Sequence, residues 1–186
     1  RNRNEYKLQL LIELYSGMRM GEINALKPEN IDFENGLIHV RSTVSRGLEY
    51  RVFIKEGAKT DAGVRDIPIN KALEPVLQEA MERKRRNPLG LVFYDHLKND
   101  LITTSQVNCF FHRICKKAGI SVRGQHALRH TFATRCIEAD VPPVVLKKWL
   151  GHKDIHMTLD IYADVFDSMH NSAMEKFEGH VLDIGC

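Results

Sequence analysis

The sequence predicts an α+β protein that is mainly α-helical and carries one small three-stranded antiparallel sheet. Apolar residues recur at helical spacing before Lys27 and again after Asn70. Between these stretches lie three short runs rich in β-branched residues, separated by turn-forming residues. The chain has 186 residues, of which 43% are hydrophobic and 27% charged, which fits a globular domain with a buried core. We therefore expect a single domain over residues 1–186.

The first two elements are predicted to be helices. Glu5–Tyr15 repeats apolar residues at helical spacing, and a Ser-Gly pair stops it. Met18–Leu26 forms the second helix, which Pro28 ends. The first four residues look like a linker that enters a helix, so we expect the chain to be a fragment of a longer protein.

The predicted sheet occupies the next part of the chain. Its strands are Leu37–Val44, which follows an Asn-Gly turn, then Tyr50–Ile54 and Val64–Ile69. A polar, glycine-punctuated stretch between the last two strands is predicted to be a hairpin loop, and it carries Lys59. Most lysines in such loops are simply solvated. Lys59 by itself is therefore no evidence for a functional residue, and a role for it depends on the other residues of a candidate site.

Helices are predicted for most of the remaining chain, with a short apolar segment at Leu91–Tyr94. They are expected at Asn70–Arg86, Thr104–Ala118, Gln125–Ala139, in a short helix that Val141-Pro142-Pro143 starts and Leu150 ends, from Asp154 past Tyr162, and at Ser168–Phe177. The last of these is amphipathic and could pack on its own subunit or on a neighbour.

Composition narrows the class of protein. The net charge of +3 and the pI near 8.7 are compatible with nucleic-acid binding, although basic clusters such as Arg83–Arg86 can also be solvated helix ends. No apolar run approaches the roughly 18 residues of a membrane span. The four cysteines lack C-x-x-C spacing, which favours a reducing cytoplasm over disulfides or a zinc site.

The residues that can carry chemistry concentrate in the last third of the chain. His126, Arg129 and His130 stand at i, i+3 and i+4, so they share one face of a helix. His152 follows a Leu-Gly pair, and Tyr162 lies in the next helix. A guanidinium, imidazoles and a phenol together suit a phosphate-like substrate and a hydroxyl nucleophile.

Near the N-terminus, Arg19 and Glu22 stand at i and i+3. They could form a surface ion pair of little energetic value. Alternatively, Glu22 could hold the guanidinium of Arg19 in a cleft.

Other chemistries find less support. The pairs His126/His130 and His152/His156 have a spacing that could bind a metal, but neither belongs to an H-E-x-x-H motif and no carboxylate or thiol cluster completes a ligand set. The chain also lacks a phosphate-binding P-loop and a G-x-S-x-G nucleophile elbow. We therefore expect neither a metal nor a cofactor.

Five motifs in order carry a resemblance to a known family. They are S-G-M-R-M-G-E-I-N-A-L, I-D-F, K-T-D-A-G-V-R-D-I-P-I, H-A-L-R-H-T-F-A-T and L-G-H-K-D-I-H-M-T-L-D-I-Y, which begin at Ser16 and end at Tyr162. Together they resemble the tyrosine recombinase (phage integrase) family, with similarity to integrases of conjugative transposons and phages. The resemblance implies the family's catalytic-domain fold, a bacterial or phage origin and no cofactor.

The same resemblance implies a role for each matched residue. Tyr162 matches the nucleophile that attacks a DNA phosphodiester, leaving a 3′-phosphotyrosyl bond and a free 5′-hydroxyl. Arg19 and Arg129 match the arginine pair that binds the nonbridging oxygens. Lys59 matches the lysine that protonates the leaving 5′-oxygen.

Four more residues complete the implied site. His126 matches the position that assists proton transfer near Tyr162, and His152 the position that donates to the phosphate. Glu22 and His130 match supporting positions. The lead-in Arg123-Gly124-Gln125 departs from the family's usual sequence, which leaves the geometry of this loop open.

The resemblance also implies partners. Family members act on double-stranded DNA as tetramers that hold two duplexes, and they carry N-terminal core-binding and arm-binding domains that this chain does not show. Residues 168–186 could exchange between subunits. Two other functions stay open: nicking and closing in the manner of a type IB topoisomerase, and a DNA-binding module that does not cut.

Overall fold

The computed structural model describes residues 3–47, 51–57, 64–121, 124–163 and 165. Within these residues the fold is α+β and mainly helical, as predicted. The helices are α1 (Arg3–Ser16), α2 (Met20–Asn24), α3 (Glu74–Arg83), α4 (Thr104–Lys117), α5 (His126–Glu138), α6 (Pro143–Leu150) and α7 (156–163), with a 3₁₀ turn at Pro28–Asn30. No helix in this part of the chain has the length and apolarity that a membrane crossing requires.

Among the described residues, five strands form two antiparallel sheets. They are β1 (Ile31–Asp32), β2 (Leu37–Val40), β3 (Ser42–Arg46), β4 (Val52–Glu56) and β5 (Arg65–Pro68). The three-stranded sheet has the order β1-β2-β5, in which Ile38 pairs with Ile31 on one side and Ile67 on the other. Strands β3 and β4 form a separate pair. The Asn-Gly turn predicted before Leu37 is confirmed, because it joins β1 to β2.

The predicted membership of the sheet was wrong in two respects. The expected strand Leu37–Val44 is divided at Arg41, because Val40 packs in the main core whereas Val44 packs in a different apolar cluster. The expected strand Tyr50–Ile54 is observed as β4 and pairs with β3, so β1 supplies the third strand of the larger sheet instead.

This division also changes the loop that carries Lys59. Strands β4 and β5, which flank it, belong to different sheets and do not form the predicted hairpin with each other. Lys59 itself lies outside the described residues, as does the predicted helix Ser168–Phe177.

The predicted boundaries of α3 were too wide. Asn70 caps a turn rather than the helix, since its Oδ1 accepts from the backbone N–H groups of Ala72 at 3.1 Å and Leu73 at 2.9 Å. The helix begins at Glu74 and ends at Arg83 instead of Arg86. The predicted start of α4 is confirmed by a capping box, in which Thr103 Oγ1 accepts from the backbone of Gln106.

Two apolar clusters position the functional residues. The main core is built from α1, α2, the larger sheet, α3 and α4. A smaller cluster joins the last three helices through Ala133, Ile137, Leu146, Leu150, Tyr162 and Val165. Helices α1 and α5 pack against each other and so connect the two clusters.

Candidate active site

The C-terminal end of α6 gathers three arginines. Its last two residues, Trp149 and Leu150, and the C-cap residue Gly151 present three successive carbonyl groups. These accept hydrogen bonds from Arg65 Nε at 2.7 Å, Arg129 Nη2 at 2.6 Å and Arg19 Nη2 at 2.9 Å, respectively. A helix C-terminus carries partial negative charge on its free carbonyls, which favours nearby cations. The helix end therefore draws guanidinium groups from three distant parts of the chain to one place.

Gly151 makes this helix end possible. Its φ of 64° lies in the left-handed region, which glycine adopts without a side-chain clash, so the chain turns away directly after Leu150. This turn also brings His152 next to the arginines.

Arg129 is a buried guanidinium, with only 4% of the residue exposed. Its Nη2 bonds Leu150, and its Nη1 donates to the carbonyl of Gly17 in the turn between α1 and α2. Gly17 has a φ of 66°, and a Cβ at this position would collide with the ring of Phe132. A glycine is therefore required where the first two helices present a carbonyl to Arg129.

Arg19 is the N-cap residue of α2 and is held by Glu22, as the cleft interpretation expected. Arg19 Nη1 lies 3.0 Å from Glu22 Oε1, and the backbone N–H of Arg19 donates to Oε2 at 2.8 Å. The Arg19 side chain is 41% exposed, so part of its guanidinium faces solvent. The arrangement leaves donors of Arg19 free for a ligand at the surface.

Sequence reasoning missed Arg65. It donates through both Nη atoms to the two oxygens of Glu22, at 2.9 and 2.7 Å, in a buried bidentate pair. The available signal was its position in a strand: Arg65 and Ile67 alternate with exposed or half-buried residues, so both point inward. A charged residue at an inward position requires a buried partner.

The charges around Glu22 determine its ionisation. Burial alone would raise the pKa of this carboxyl, but the hydrogen bonds and charge of Arg65, followed by those of Arg19, hold the pKa below its ordinary value. Glu22 is therefore ionised at neutral pH.

Arg129 lies close to two other positively charged side chains, those of Arg19 and Arg65. Burial, followed by the neighbouring charge of Arg19, lowers the pKa of Arg129 to about 9, against a weaker opposing effect of Glu22. Arg129 still carries its charge at pH 7, at an energetic cost that a bound anion would relieve. Three guanidinium groups thus surround the single carboxylate of Glu22, and the cluster favours an anionic ligand.

Three histidines lie around Arg129. His126, His130 and His152 line one cleft with Arg129, of about 720 Å³, which confirms that the i, i+3 and i+4 residues of α5 share a face. The rings of His126 and His130 meet edge to face with their centroids 5.2 Å apart. The pKa of His126 is lowered by burial first and then by the charges of Arg129, His130 and Arg19. His126 is consequently neutral at pH 7.

His152 has a defined orientation. Its Nδ1 lies 2.9 Å from Thr158 Oγ1, and both residues are buried. Burial, followed by the charges of Arg129 and Arg19, lowers the pKa of His152 to about 4. The ring is therefore neutral, and its hydrogen bond to Thr158 leaves Nε2 for another partner. Thr158 was also missed by sequence reasoning, although it lies in the same motif as His152.

In this structure the hydroxyl of Tyr162 contacts the backbone that precedes α6. The phenol donates a hydrogen bond to the carbonyl of Val141, and its ring packs in the smaller apolar cluster beside Leu146 and Leu150. Burial, followed by Cys136 and Asp140, raises the pKa of Tyr162. Attack on a phosphate would require the hydroxyl to leave Val141 and lose its proton.

Of the predicted site residues, the structure brings together Arg19, Glu22, His126, Arg129, His130 and His152. The hydroxyl of Tyr162 is engaged elsewhere, and Lys59 is not among the described residues. Within those residues, no group of three or more His, Cys, Asp or Glu side chains has an arrangement that could hold a metal ion.

Glu13 of α1 interacts electrostatically with Arg129, and its burial predicts how stability depends on pH. It is fully buried, neither carboxylate oxygen has a hydrogen-bond partner among the described residues, and burial raises its pKa to about 8 against the opposing charge of Arg129. Between pH 4.5 and about 8 the unfolded chain loses this proton while the folded chain keeps it, so the stability of the protein falls as pH rises. Glu13→Gln removes this dependence. The quantity to compare is the free energy of unfolding of the variant minus that of the parent. We expect this difference to be larger at pH 8 than at pH 4 by about 1–3 kcal/mol.

Chemical denaturation of both proteins at several pH values measures this difference. A stability difference that stays constant from pH 4 to pH 8 would contradict the assignment of a buried, proton-binding carboxyl.

The chain is similar to members of one known protein family. The model of the phage integrase family matches residues 2–169. The chain is 31% identical to a XerC-like tyrosine recombinase of Caldanaerobacter subterraneus and 30% identical to the transposase of transposon Tn916 from Enterococcus faecalis. The alignments cover 91% and 86% of this chain but 48% and 42% of the two relatives. The chain thus spans about half the length of these curated relatives.

Solved structures show the same fold. A structure of the Tn1549 transposon integrase in complex with circular intermediate DNA matches with a TM-score of 0.79 and 28% identity, over 93% of this chain and 60% of that chain. The XerA recombinase shares the fold at 20% identity, with a TM-score of 0.69 over 92% of this chain and 58% of that one. Because the family model covers most of its length and the arginine and histidine motifs meet in one cleft, the chain belongs to the phage integrase family.

Proposed function

We propose that this chain is the catalytic domain of a site-specific DNA recombinase that cuts and rejoins strands through a 3′-phosphotyrosyl intermediate. The observation that carries the proposal is the guanidinium cluster at the end of α6, where three positive charges surround Glu22 beside neutral imidazoles. A phosphodiester has the negative charge and the paired oxygens that such forks bind. Membership of the phage integrase family supports the same activity.

In the proposed reaction, Arg19 and Arg129 bind the nonbridging oxygens and offset the charge that grows on them in the transition state. The hydroxyl of Tyr162 attacks phosphorus, and the bond to the 5′-oxygen breaks. Lys59 gives a proton to that leaving oxygen, while the proton of Tyr162 passes to a base, for which neutral His126 is suited. Because the phosphoester bond is kept in the intermediate, religation reverses these steps without a nucleotide.

The remaining groups support this chemistry. His152 donates from Nε2 to the phosphate, since its Nδ1 is occupied by Thr158. Glu22 orients Arg19, and His130 packs against His126.

The proposal includes double-stranded DNA as substrate and a tetramer on two duplexes as the working assembly. The similar structure of the Tn1549 transposon integrase is a complex with circular intermediate DNA, which supports the first part. We further propose that core-binding and arm-binding domains belong to a longer parent protein, and that residues 168–186 dock on a neighbouring subunit. A cytoplasmic location remains a prediction, supported by the free thiols of Cys109, Cys115 and Cys136.

A covalent-capture experiment tests the activity. The chain is mixed with a pool of nicked suicide duplexes whose central sequence is randomised, and denaturing electrophoresis separates covalent adducts. The expected result is an adduct in which peptide mapping places the DNA on Tyr162. Sequencing the captured DNA then yields the preferred site.

The same experiment separates the alternatives. Retarded DNA without an adduct would indicate a DNA-binding module and contradict the proposal. If an adduct forms, the captured site is placed in supercoiled plasmids. Relaxation without any joining between two duplexes would favour a topoisomerase-like activity.

A further inference from the structure

Arg65 lies outside the six residues assigned to catalysis, yet its side chain is the most constrained contact of Glu22. The exposed fractions of the Arg65 and Glu22 side chains are 2% and 7%. Both Nη atoms of Arg65 bind the carboxylate, at 2.9 and 2.7 Å, and its Nε donates to the carbonyl of Trp149 at 2.7 Å. Three hydrogen bonds therefore fix the guanidinium plane of Arg65 relative to both α2 and α6.

The carboxylate that Arg65 holds is the one that holds Arg19. Oε1 of Glu22 accepts from Nη1 of both arginines, and Oε2 accepts from Nη2 of Arg65 and from the backbone N–H of Arg19. A rotation of the carboxylate would thus break the contacts to both residues. Arg65 prevents that rotation because its bidentate grip matches the carboxylate plane.

Arg65 also keeps Glu22 charged. The carboxyl is buried, and burial alone would favour its protonated form. Without Arg65, Glu22 would lose its closest counter-charge, and the hold on Arg19 would weaken. Arg19 is the group this would affect, since its side chain is 41% exposed and long enough to adopt other rotamers.

We propose that Arg65 is a positioning residue for Arg19. Through the shared carboxylate of Glu22, it sets the direction in which Arg19 presents its guanidinium to the scissile phosphate. The inference rests on the proposed recombinase function. It assigns to Arg65 an effect on the rate of cleavage that passes through Arg19, in addition to any contribution to folding.

A double-mutant cycle tests this assignment. Arg65→Gln and Arg65→Lys are made in the parent chain and in an Arg19→Ala background, and single-turnover cleavage of the captured suicide substrate is measured at saturating protein. In the parent background we expect Arg65→Gln to slow cleavage by about 30- to 100-fold, since small misplacements of a catalytic group cost this much. In the Arg19→Ala background its further effect should be less than about twofold.

Two measurements separate positioning from folding. Thermal unfolding reports whether each variant is folded at the assay temperature, and gel retardation reports its affinity for the duplex, which should stay within about threefold of the parent. Arg65→Lys serves if the glutamine variant does not fold, because it keeps the charge but cannot span both oxygens of Glu22 and Trp149. We expect it to slow cleavage by about tenfold, again only when Arg19 is present.

Arg83→Gln is the matched control. Arg83 is the last residue of α3 and pairs with Glu79 at 2.7 Å, and the two side chains are 49% and 44% exposed. Its loss should leave the cleavage rate within about twofold of the parent.

The outcomes separate this inference from the proposed function. If the parent chain forms no adduct with any duplex, both fall. Suppose that the parent cleaves but that substitution of Arg65 slows cleavage by the same factor with and without Arg19. Only the positioning role is then overturned. The same conclusion follows if no Arg65 variant folds.

Discussion

Replacing Tyr162 by phenylalanine will abolish the covalent protein–DNA adduct, with a loss of rate on the order of 10⁴-fold or more. The phenol oxygen is the proposed nucleophile, and phenylalanine lacks it. The measurement is adduct formation on the suicide duplex over hours, compared with the parent chain.

This variant should remain folded and bind DNA. The phenylalanine ring keeps the packing against Leu146 and Leu150 in the smaller cluster. The hydrogen bond to the carbonyl of Val141 is lost, which costs about 1 kcal/mol.

Tyr94→Phe is the matched control, because its hydroxyl donates to Asn99 and belongs to no proposed catalytic step. It should form the adduct at the parent rate. An adduct in Tyr162→Phe would show that another residue is the nucleophile and would remove the central step of the mechanism.

The second large effect concerns Arg129. Arg129→Lys will slow cleavage by about 10²- to 10³-fold, the usual effect of losing one group that stabilises charge in a transition state. Lysine retains the positive charge, but a single ammonium cannot donate to Gly17 and Leu150 and also present a planar fork to a phosphate. Binding of the duplex should change much less than the rate, since the charge persists.

Arg135→Lys is the control for this substitution. Arg135 belongs to the same helix, but its side chain is 75% exposed and pairs with Glu138 at the surface. Its cleavage rate should stay within about twofold of the parent rate. If Arg129→Lys folds normally and cleaves at the parent rate, the prediction is wrong. Arg129 would then contribute only its charge, or would have no catalytic role.

Local patterns in the sequence predicted which of the described segments are helical, although not both ends of α3, because helical periodicity is a short-range property. The face shared by His126, Arg129 and His130 follows from 3.6 residues per turn, and the structure confirms it. The start of α4 and the stop after α6 follow from capping residues in the same way.

The strands were predicted less well, as the division of the predicted strand at Arg41 illustrates. The residues on either side of it have strand-like composition, but composition does not say which apolar cluster each half will join. The division of this segment between two sheets depends on packing against helices that are distant in sequence. The loop of Lys59 therefore joins two sheets, which no local signal indicated.

The sequence by itself determined the set of reactive groups, their order along the chain and the family to which the chain belongs. Only the tertiary structure revealed that Arg65, 43 residues from Glu22 and 84 from Trp149, completes the arginine cluster, and that Tyr162 binds Val141. The physical reason is that a buried charge must find its partners through long-range packing. Residue spacing encodes only contacts within a turn or two of a helix.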